Sequence, residues 1–215
     1  MTTILHLSAL YAEEGWALPG ARDLDLTGIE GTNCYCSPAA EEALKNSIQS
    51  ISPGGLCWID TGDYHYVSKL RMESIEEPFV LALLDNHPDN QEDAFGSGLL
   101  SCGGWVKTAL EGLEMLKDSF LNTPHIPPGL PVFLSIDLDV LSRDYARTDW
   151  DQGSMSLQEL LEITGRIAAE HRVLGVDVCG GITAAKGATA EDLRINAGTR
   201  AAIQAYLESH PLLEL

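Results

Sequence analysis

Short apolar runs bounded by turn residues alternate along the chain with longer amphipathic stretches. The apolar runs predict buried strands at residues 4–10, 56–60, 79–85, 132–137 and 173–178. The amphipathic stretches predict helices at residues 38–51, 105–116, 156–171 and 191–208. This alternation is typical of βαβ units, which build a mostly parallel sheet. The pattern therefore predicts an α/β fold.

Two of the predicted helices begin with recognisable capping residues. Ser37 followed by Pro38 is typical of an N-cap with proline in the first helical position. Ser156 and Glu159 have the spacing of a capping box. Both signals support the helix assignments.

Length, composition and charge exclude several classes of protein. The 215 residues fit one domain, residues 1–215. Thirteen Lys and Arg against thirty-two Asp and Glu give a net charge of −19, which repels nucleic acid and anionic membranes. No apolar run approaches the roughly 20 residues of a membrane span, and no export signal is evident. We therefore expect a cytoplasmic protein whose odd number of cysteines remains reduced.

Acidic residues follow several of the predicted strands, where an α/β sheet binds its ligands. The densest group is Asp85-Asn-His87-Pro88-Asp89. In extended chain, Asp85 and His87 point to one side about 6.6 Å apart, close enough to bind two neighbouring metal ions. Asp89 would lie about 13 Å from Asp85 unless the chain bends, and Pro88 is suited to such a bend.

Two further groups complete a set of metal-binding side chains. Asp137 and Asp139 follow the strand at 132–137, and His65 follows the strand at 56–60. The predicted ligands are two imidazoles and four carboxylates: His65, Asp85, His87, Asp89, Asp137 and Asp139. Four carboxylates balance two divalent cations, and a mixed shell without thiolate suits Mn²⁺, with Co²⁺, Fe²⁺ or catalytic Zn²⁺ as alternatives. The competing interpretation is a set of unrelated helix caps and a core histidine.

The order G-D-x-H, D-x-H-x-D and S-x-D-x-D resembles that of the arginase and agmatinase (ureohydrolase) superfamily. The resemblance covers residues 56–180 and includes Thr148–Gly153 and Leu174–Asp177. It implies a three-layer α/β/α sandwich, two Mn²⁺ ions bridged by Asp85 and Asp137, and hydrolysis of a guanidinium or related C–N bond by a metal-bridging hydroxide. This chain would be a short, divergent member of that superfamily.

The chemistry of the cluster gives Asp89 a catalytic role, and comparison with the family shows two departures. Asp89 would orient the hydroxide and pass its proton to the departing amine. Cys102 stands where arginases have a proton-shuttle histidine, and a thiol with an ordinary pKa of about 8.5 is a poorer shuttle at neutral pH. The acid that would hold a guanidinium is absent, because residues 178–181 read Val-Cys-Gly-Gly. Both departures argue against arginine as the substrate.

Substrate contacts are expected from the loops after two of the acidic motifs. The predicted residues are Asn90, Gln91, Asp149, Trp150 and Asp151. The alternative is that Asn90 and Gln91 cap a turn, and that residues 143–152 form a polar loop anchored by Trp150.

Three functions remain in competition. We expect a binuclear metal hydrolase that cleaves a non-peptide C–N bond of a small guanidine, amidine or amide. The first alternative is a metal-binding ureohydrolase relative without turnover. The second is a phosphatase of haloacid-dehalogenase type with Asp137 as nucleophile, which leaves His65 and the residues around Asp85 unexplained. The apolar residues 211–215 are suited to docking onto this subunit or another.

Overall fold

The computed structural model describes residues 1–92 and 98–210. The helices and strands within them are, in chain order, β1 (Thr2–His6), α1 (Leu10–Glu14), β2 (Arg22–Asp25), β3 (Tyr35–Cys36), α2 (Pro38–Ile48), β4 (Leu56–Ile59), α3 (Val67–Met72), β5 (Phe79–Leu84), β6 (Leu100–Ser101), α4 (Trp105–Gly112), β7 (Leu116–Leu121), β8 (Val132–Asp137), α5 (Leu157–Glu170), β9 (Val173–Cys179) and α6 (Ala190–Ser209). The apolar residues 211–215 lie outside the described part of the chain.

A seven-stranded parallel sheet forms the centre of the fold. Its strand order is β2-β1-β4-β9-β8-β5-β7, and every neighbouring pair is parallel. The short strands β3 and β6 form a separate antiparallel pair. The predicted α/β class with a central parallel sheet is confirmed.

Helices cover both faces of this sheet, because successive strand residues point to opposite sides. Along β4, Cys57 and Ile59 belong to one core, whereas Leu56 and Trp58 belong to the other. Buried side chains of α2, α3 and α4 join the first core, and those of α1, α5 and α6 join the second. The result is the three-layer α/β/α sandwich.

The observed boundaries correct two of the predicted elements. The first strand ends at His6 rather than at residue 10, because Asp60 accepts hydrogen bonds from the amides of Leu7 and Ser8 and bends the chain before α1. Helix α4 ends at Gly112 rather than at residue 116, since Leu113 takes an extended conformation and β7 follows. The caps at Ser37 and Ser156 are confirmed, the second as a complete capping box.

The sheet order explains why distant residues meet. Strands β4, β9, β8 and β5 are consecutive neighbours at its centre. Their carboxyl ends lie at one edge because all four are parallel, and this edge carries the segments after residues 59, 84, 137 and 179. None of the helices in the described ranges combines the length and apolar composition needed to cross a bilayer.

Candidate metal centre

His65 lies at the centre of the site and is almost completely buried, with 1% of its surface exposed. It follows the short helical turn Gly62–Tyr64 that connects β4 to α3. Its Nε2 atom is 2.8 Å from the hydroxyl of Ser135. Its Nδ1 atom has no hydrogen-bond partner among the described residues, yet it lies 3.2 Å from Asp85, 3.1 Å from Asp89 and 3.6 Å from Asp137.

Helix α3, which follows His65, is tied to the sheet by a buried ion pair. Arg71 of α3 pairs with Asp177 of β9, and both side chains are at most 2% exposed. Asp177, which is part of the family resemblance, therefore holds the helix beside His65. It lies outside the groups of possible metal ligands in the described part of the chain.

Asp85 presents one carboxylate oxygen to each of the two predicted histidine ligands. Its Oδ2 is 3.2 Å from Nδ1 of His65, and its Oδ1 is 3.5 Å from Nδ1 of His87. The backbone amide of His87 donates to the same Oδ1 at 2.6 Å. Asn122 fixes the backbone of Asp85 through two hydrogen bonds: its Oδ1 accepts from the Asp85 amide, and its Nδ2 donates to the Asp85 carbonyl.

Asp89 returns to the site through a bend in the chain next to Pro88. Its φ of +45° is in the left-handed region, which few residues other than glycine adopt. The bend buries Asp89 and brings it to His65, and the indole of Trp105 donates a 2.6 Å hydrogen bond to its Oδ2. The bend that the sequence requires is therefore present.

Asp137 and Asp139 enter from the end of β8. The amide of Asp139 donates to Oδ1 of Asp137 at 2.9 Å, and the amide of Asn86 donates to Asp139 at 3.0 Å. Oδ2 of Asp139 is 2.8 Å from Nδ1 of His87. Both carboxylates are buried and belong to the same cluster as Asp85.

The ligand atoms form overlapping groups that share a carboxylate. One group is His65, Asp85 and Asp89, and another is Asp85, His87 and Asp139, with all ligand atoms of each group within 4.8 Å of one another. Asp137 and Cys179 form a third group with His65. Ligands of one cation, held by bonds of about 2.0–2.3 Å, lie about 3–4 Å from one another, so the observed spacings fit cation coordination.

In the absence of a cation, burial and neighbouring charges raise the pKa values of several groups in the cluster. Burial and the charge of Asp85 raise the pKa of Asp137 to about 6. Burial and the charge of Asp137 raise the pKa of Asp139 to about 8. Hydrogen bonds to Asp139 and Asp85 raise the pKa of His87 to about 10. The cluster therefore retains protons that divalent cations would replace, which fits a site built for metal ions.

Cys102 lies beside the site but is paired with another thiol. It lines a narrow cavity of about 30 Å³ together with Asp85, Asp89 and Gln91. Its amide donates to the carbonyl of Cys34, and a hydrogen bond between the two thiols, together with burial, raises the pKa of Cys102 far above its ordinary value. A thiol in this state is a poor proton shuttle at neutral pH.

The predicted substrate-binding residues are only partly gathered at the cavity. Gln91 and Trp150 line it, and the Trp150 indole donates to Asp63 at 3.1 Å. Asp149 is instead paired with Lys186 at 2.5 Å. Asn90 and Asp151 are exposed, and only the backbone carbonyl of Asp151 is placed near the ligands, where it accepts a hydrogen bond from Asn86.

Gly180 closes the wall of the site, in the segment where the sequence resemblance led us to expect a guanidinium-binding acid. Its φ is +103°, and a Cβ atom there would lie 2.5 Å from Oδ1 of Asp137 and 2.7 Å from the amide nitrogen of Leu138. The backbone therefore leaves no room for a side chain at this position.

Sequence reasoning missed the residues that contact or extend the cluster of candidate ligands. They are Asn86, Trp105, Asn122 and Cys179, and also the role of Ser135. The serine of S-x-D-x-D was a usable signal, because Ser135 and Asp137 alternate by two along β8. Asn86 lies inside the D-x-H-x-D motif, whereas Trp105, Asn122 and Cys179 come from separate segments and carry no local pattern.

Comparisons with known proteins were made on sequence and on structure. No family model matches the chain. An uncharacterized protein from Thermotoga maritima is 29% identical over 196 residues, covering 82% of this chain and 78% of that protein.

Several solved structures superpose on most of the chain. An arginase from Medicago truncatula has a TM-score of 0.67 at 12% identity, covering 96% of this chain and 86% of its own. The formimidoylglutamase of Bacillus subtilis has a TM-score of 0.64 at 14% identity, covering 100% and 87%. A triple mutant of a T. brucei arginase-like protein bound with Mn²⁺ has a TM-score of 0.58 at 14% identity, covering 98% and 90%. The chain therefore has the fold of the arginase-type ureohydrolases.

Proposed function

We propose that this chain, which has the ureohydrolase fold, is a binuclear metal-dependent hydrolase of a non-peptide C–N bond in a small guanidine, amidine or amide. The observation that carries the proposal is the position of Asp85. Its two carboxylate oxygens face two different histidines, each of which has a further carboxylate beside it. A carboxylate that bridges two cations through both of its oxygens requires this arrangement.

The residues that would hold the cations divide into two sets. His65 and Asp89 would bind one ion, His87 and Asp139 would bind the other, and Asp85 and Asp137 would be shared. Imidazole and carboxylate ligands suit Mn²⁺, which is also the ion bound by the T. brucei arginase-like mutant of the same fold. Bound divalent cations would polarise the substrate and lower the pKa of a water molecule towards neutrality.

The chain's own residues would position the reacting groups. Asp89 is held by the Trp105 indole and lines the cavity, so it can orient a nucleophilic water and carry a proton to the departing amine. Gln91 and the Trp150 ring narrow the opening. A substrate would present a small planar end to the site through this opening.

Two departures from arginase limit the substrate. Gly180 provides no carboxylate for a guanidinium, and the Cys102 thiol is held protonated beside Cys34. A substrate that needs neither an acid at this wall nor a histidine shuttle fits better than arginine. Amidines, amides and simple guanidines satisfy that condition.

A metal-binding protein without turnover is the second candidate, and the observation that favours it is the state of Cys102. If the proton carried by Asp89 cannot leave the site without a shuttle, the cations would be bound and the substrate would remain intact. The phosphatase alternative has no comparable support, since it gives His65 and His87 no role.

The experiment is a screen of the Mn²⁺-loaded protein for ammonia and urea release from guanidino, amidino and amide compounds. Release of urea would indicate a guanidine substrate, and release of ammonia alone would indicate deimination or an amide. If Mn²⁺ is bound and no compound releases ammonia or urea, the result would contradict turnover and favour the non-catalytic candidate.

Metal-ligand variants test the same proposal independently of the substrate. We expect Asp85→Ala and Asp137→Ala to lose bound Mn²⁺ and turnover, as measured by plasma emission and by the same product assays. Asp118→Ala is the matched control, because Asp118 is an exposed carboxylate on β7. Equal Mn²⁺ content in parent and Asp85→Ala would contradict the assignment.

A further inference from the structure

A thiol outside the predicted ligand set lies inside the metal centre. Cys179 is the last residue of β9 and is 1% exposed. It is the register partner of Asp137 on the neighbouring strand β8. Paired residues on parallel strands point to the same side, so the strand register itself directs the Cys179 thiol to the carboxylate of Asp137.

The distances around this thiol match those among the other ligands. Its Sγ is 3.1 Å from Oδ2 of Asp137, and that oxygen is 3.6 Å from Nδ1 of His65. All three atoms lie within 4.8 Å of one another. Adjacent ligands of one cation are about 3–4 Å apart when the bonds are about 2.0–2.3 Å long.

A second observation points to a ligand at the same place. Nδ1 of His65 is buried and, within the described residues, makes no hydrogen bond. It lies 3.2 Å from Asp85, 3.1 Å from Asp89 and 3.6 Å from Asp137, and a ring nitrogen of His65 lies within 4.8 Å of the Cys179 thiol. An unsatisfied nitrogen in a closed polar site costs free energy unless a bound group completes it.

We propose that the sulphur of Cys179 binds the same cation as His65, so that the two metal positions have different ligand chemistry. The inference rests on the function proposed above and specifies its metal preference. The position at His65 would be a nitrogen, oxygen and sulphur site, whereas the position at His87 has only nitrogen and oxygen ligands. Sulphur favours Zn²⁺ or Co²⁺ over Mn²⁺ at the first position, and Mn²⁺ remains suited to the second.

Binding requires no oxidant. The thiol that now donates a hydrogen bond to Asp137 releases its proton to solvent, and a sulphur lone pair forms the bond to the cation. If Cys179 only supports Asp137 by that hydrogen bond, no sulphur–metal bond will form. Only a sulphur–metal bond produces a thiolate-to-metal charge-transfer band, so spectroscopy distinguishes the two possibilities.

The test uses the full chain, stripped with a chelator and titrated with Co²⁺. We expect a near-ultraviolet thiolate-to-Co²⁺ charge-transfer band in the parent and its loss in Cys179→Ser, with two Co²⁺ still bound. In a competition between Zn²⁺ and Mn²⁺, the ratio of Zn²⁺ affinity to Mn²⁺ affinity at one position should fall about tenfold or more in Cys179→Ser.

Two other cysteines serve as matched controls. Cys102→Ser changes the other thiol that lines the cavity, and Cys57→Ser changes a buried thiol on the adjacent strand β4. Both variants should retain the band. Loss of the band in Cys102→Ser but not in Cys179→Ser would overturn the proposal.

A second measurement, X-ray absorption fine structure of the Zn²⁺-loaded parent, does not depend on whether any variant folds. With two zinc ions bound, we expect one sulphur scatterer for every two zinc ions, at about 2.3 Å. Two bound ions with only nitrogen and oxygen scatterers would overturn this inference and leave the proposed function standing. A parent protein that binds Mn²⁺ but neither Co²⁺ nor Zn²⁺ would overturn this inference alone, and one that binds none of the three ions would overturn both.

Discussion

At the scale of single residues, the orientation of His65 depends on one hydroxyl group. The 2.8 Å contact between its Nε2 and the Ser135 hydroxyl places the proton on Nε2 when Nδ1 binds a cation. Ser135→Ala removes this contact. We expect the Mn²⁺ affinity of the variant to fall about 10- to 100-fold, as measured by calorimetric titration.

Ser68→Ala is the control for this prediction. Its hydroxyl lies 3.3 Å from that of Ser135, so the substitution changes the same buried pocket and leaves the contact with His65 intact. Its Mn²⁺ affinity should stay close to that of the parent. An equal loss in both variants would show that the pocket, and not the orientation of His65, controls binding.

Much of the cluster of candidate ligands could be predicted from the sequence, because acidic residues at the ends of apolar runs are a local pattern. The bend at Asp89 was also foreseeable, since Pro88 precedes it. The partners that complete the site were not, because they depend on contacts across the fold. Asp149, a predicted substrate-binding residue, pairs with Lys186, which is 37 positions away. Cys179 meets Asp137 only through the pairing of β8 with β9.

At the scale of elements, the junction after β9 requires glycine. Gly180→Ala introduces a Cβ atom 2.5 Å from Oδ1 of Asp137, in addition to strain at a φ of +103°. The strain costs about 1–3 kcal/mol. We expect a lower unfolding free energy in urea and a loss of Mn²⁺ binding, because Asp137 must move.

Gly187→Ala separates these two effects. Gly187 has a φ of +100°, and a Cβ atom at this position would meet no atom within 4 Å, so its substitution adds strain alone. It should lose stability and keep its Mn²⁺ affinity. Normal metal binding by Gly180→Ala would refute the proposed contact with Asp137.

The central strands were predictable and the edge strands were not, for a physical reason. Strands β4, β5 and β8 are buried on both faces and read as continuous apolar runs. The edge strands β2 and β7 are half exposed and carry charged residues, so no apolar run marks them. The two-residue strands β3 and β6 are too short for any periodic signal.

At the scale of the whole molecule, excess negative charge makes stability depend on protons or cations. The net charge is −19, and several acids are buried together at one edge of the sheet. Without cations, the folded pKa is raised to about 6 for Asp137, about 8 for Asp139 and about 10 for His87. Each group binds its proton more tightly in the folded state than in the unfolded chain.

Raised folded pKa values mean that stability is lost as these protons leave. Deprotonation of Asp137 and Asp139 lowers the stability from about pH 4 up to their folded pKa values. Deprotonation of His87 lowers it from about pH 6.5 to about pH 10. We expect the melting temperature of chelator-treated protein to fall between pH 6 and pH 9. Excess Mn²⁺ should reduce the fall, because the cations replace the protons.

Calorimetry at several pH values checks this expectation. Asp139→Asn is the informative variant, since it removes a titrating acid and should flatten the metal-free profile. A melting temperature that stays constant or rises from pH 6 to pH 9 in the chelator-treated parent would contradict this balance of charges.

The most direct test of the binuclear centre is anomalous X-ray scattering from crystals of the chelated protein reloaded with excess Mn²⁺. We predict two peaks about 3.5–4 Å apart, one beside His65 and one beside His87, with Asp85 between them. A single peak, or no peak among these three side chains, would contradict the binuclear centre.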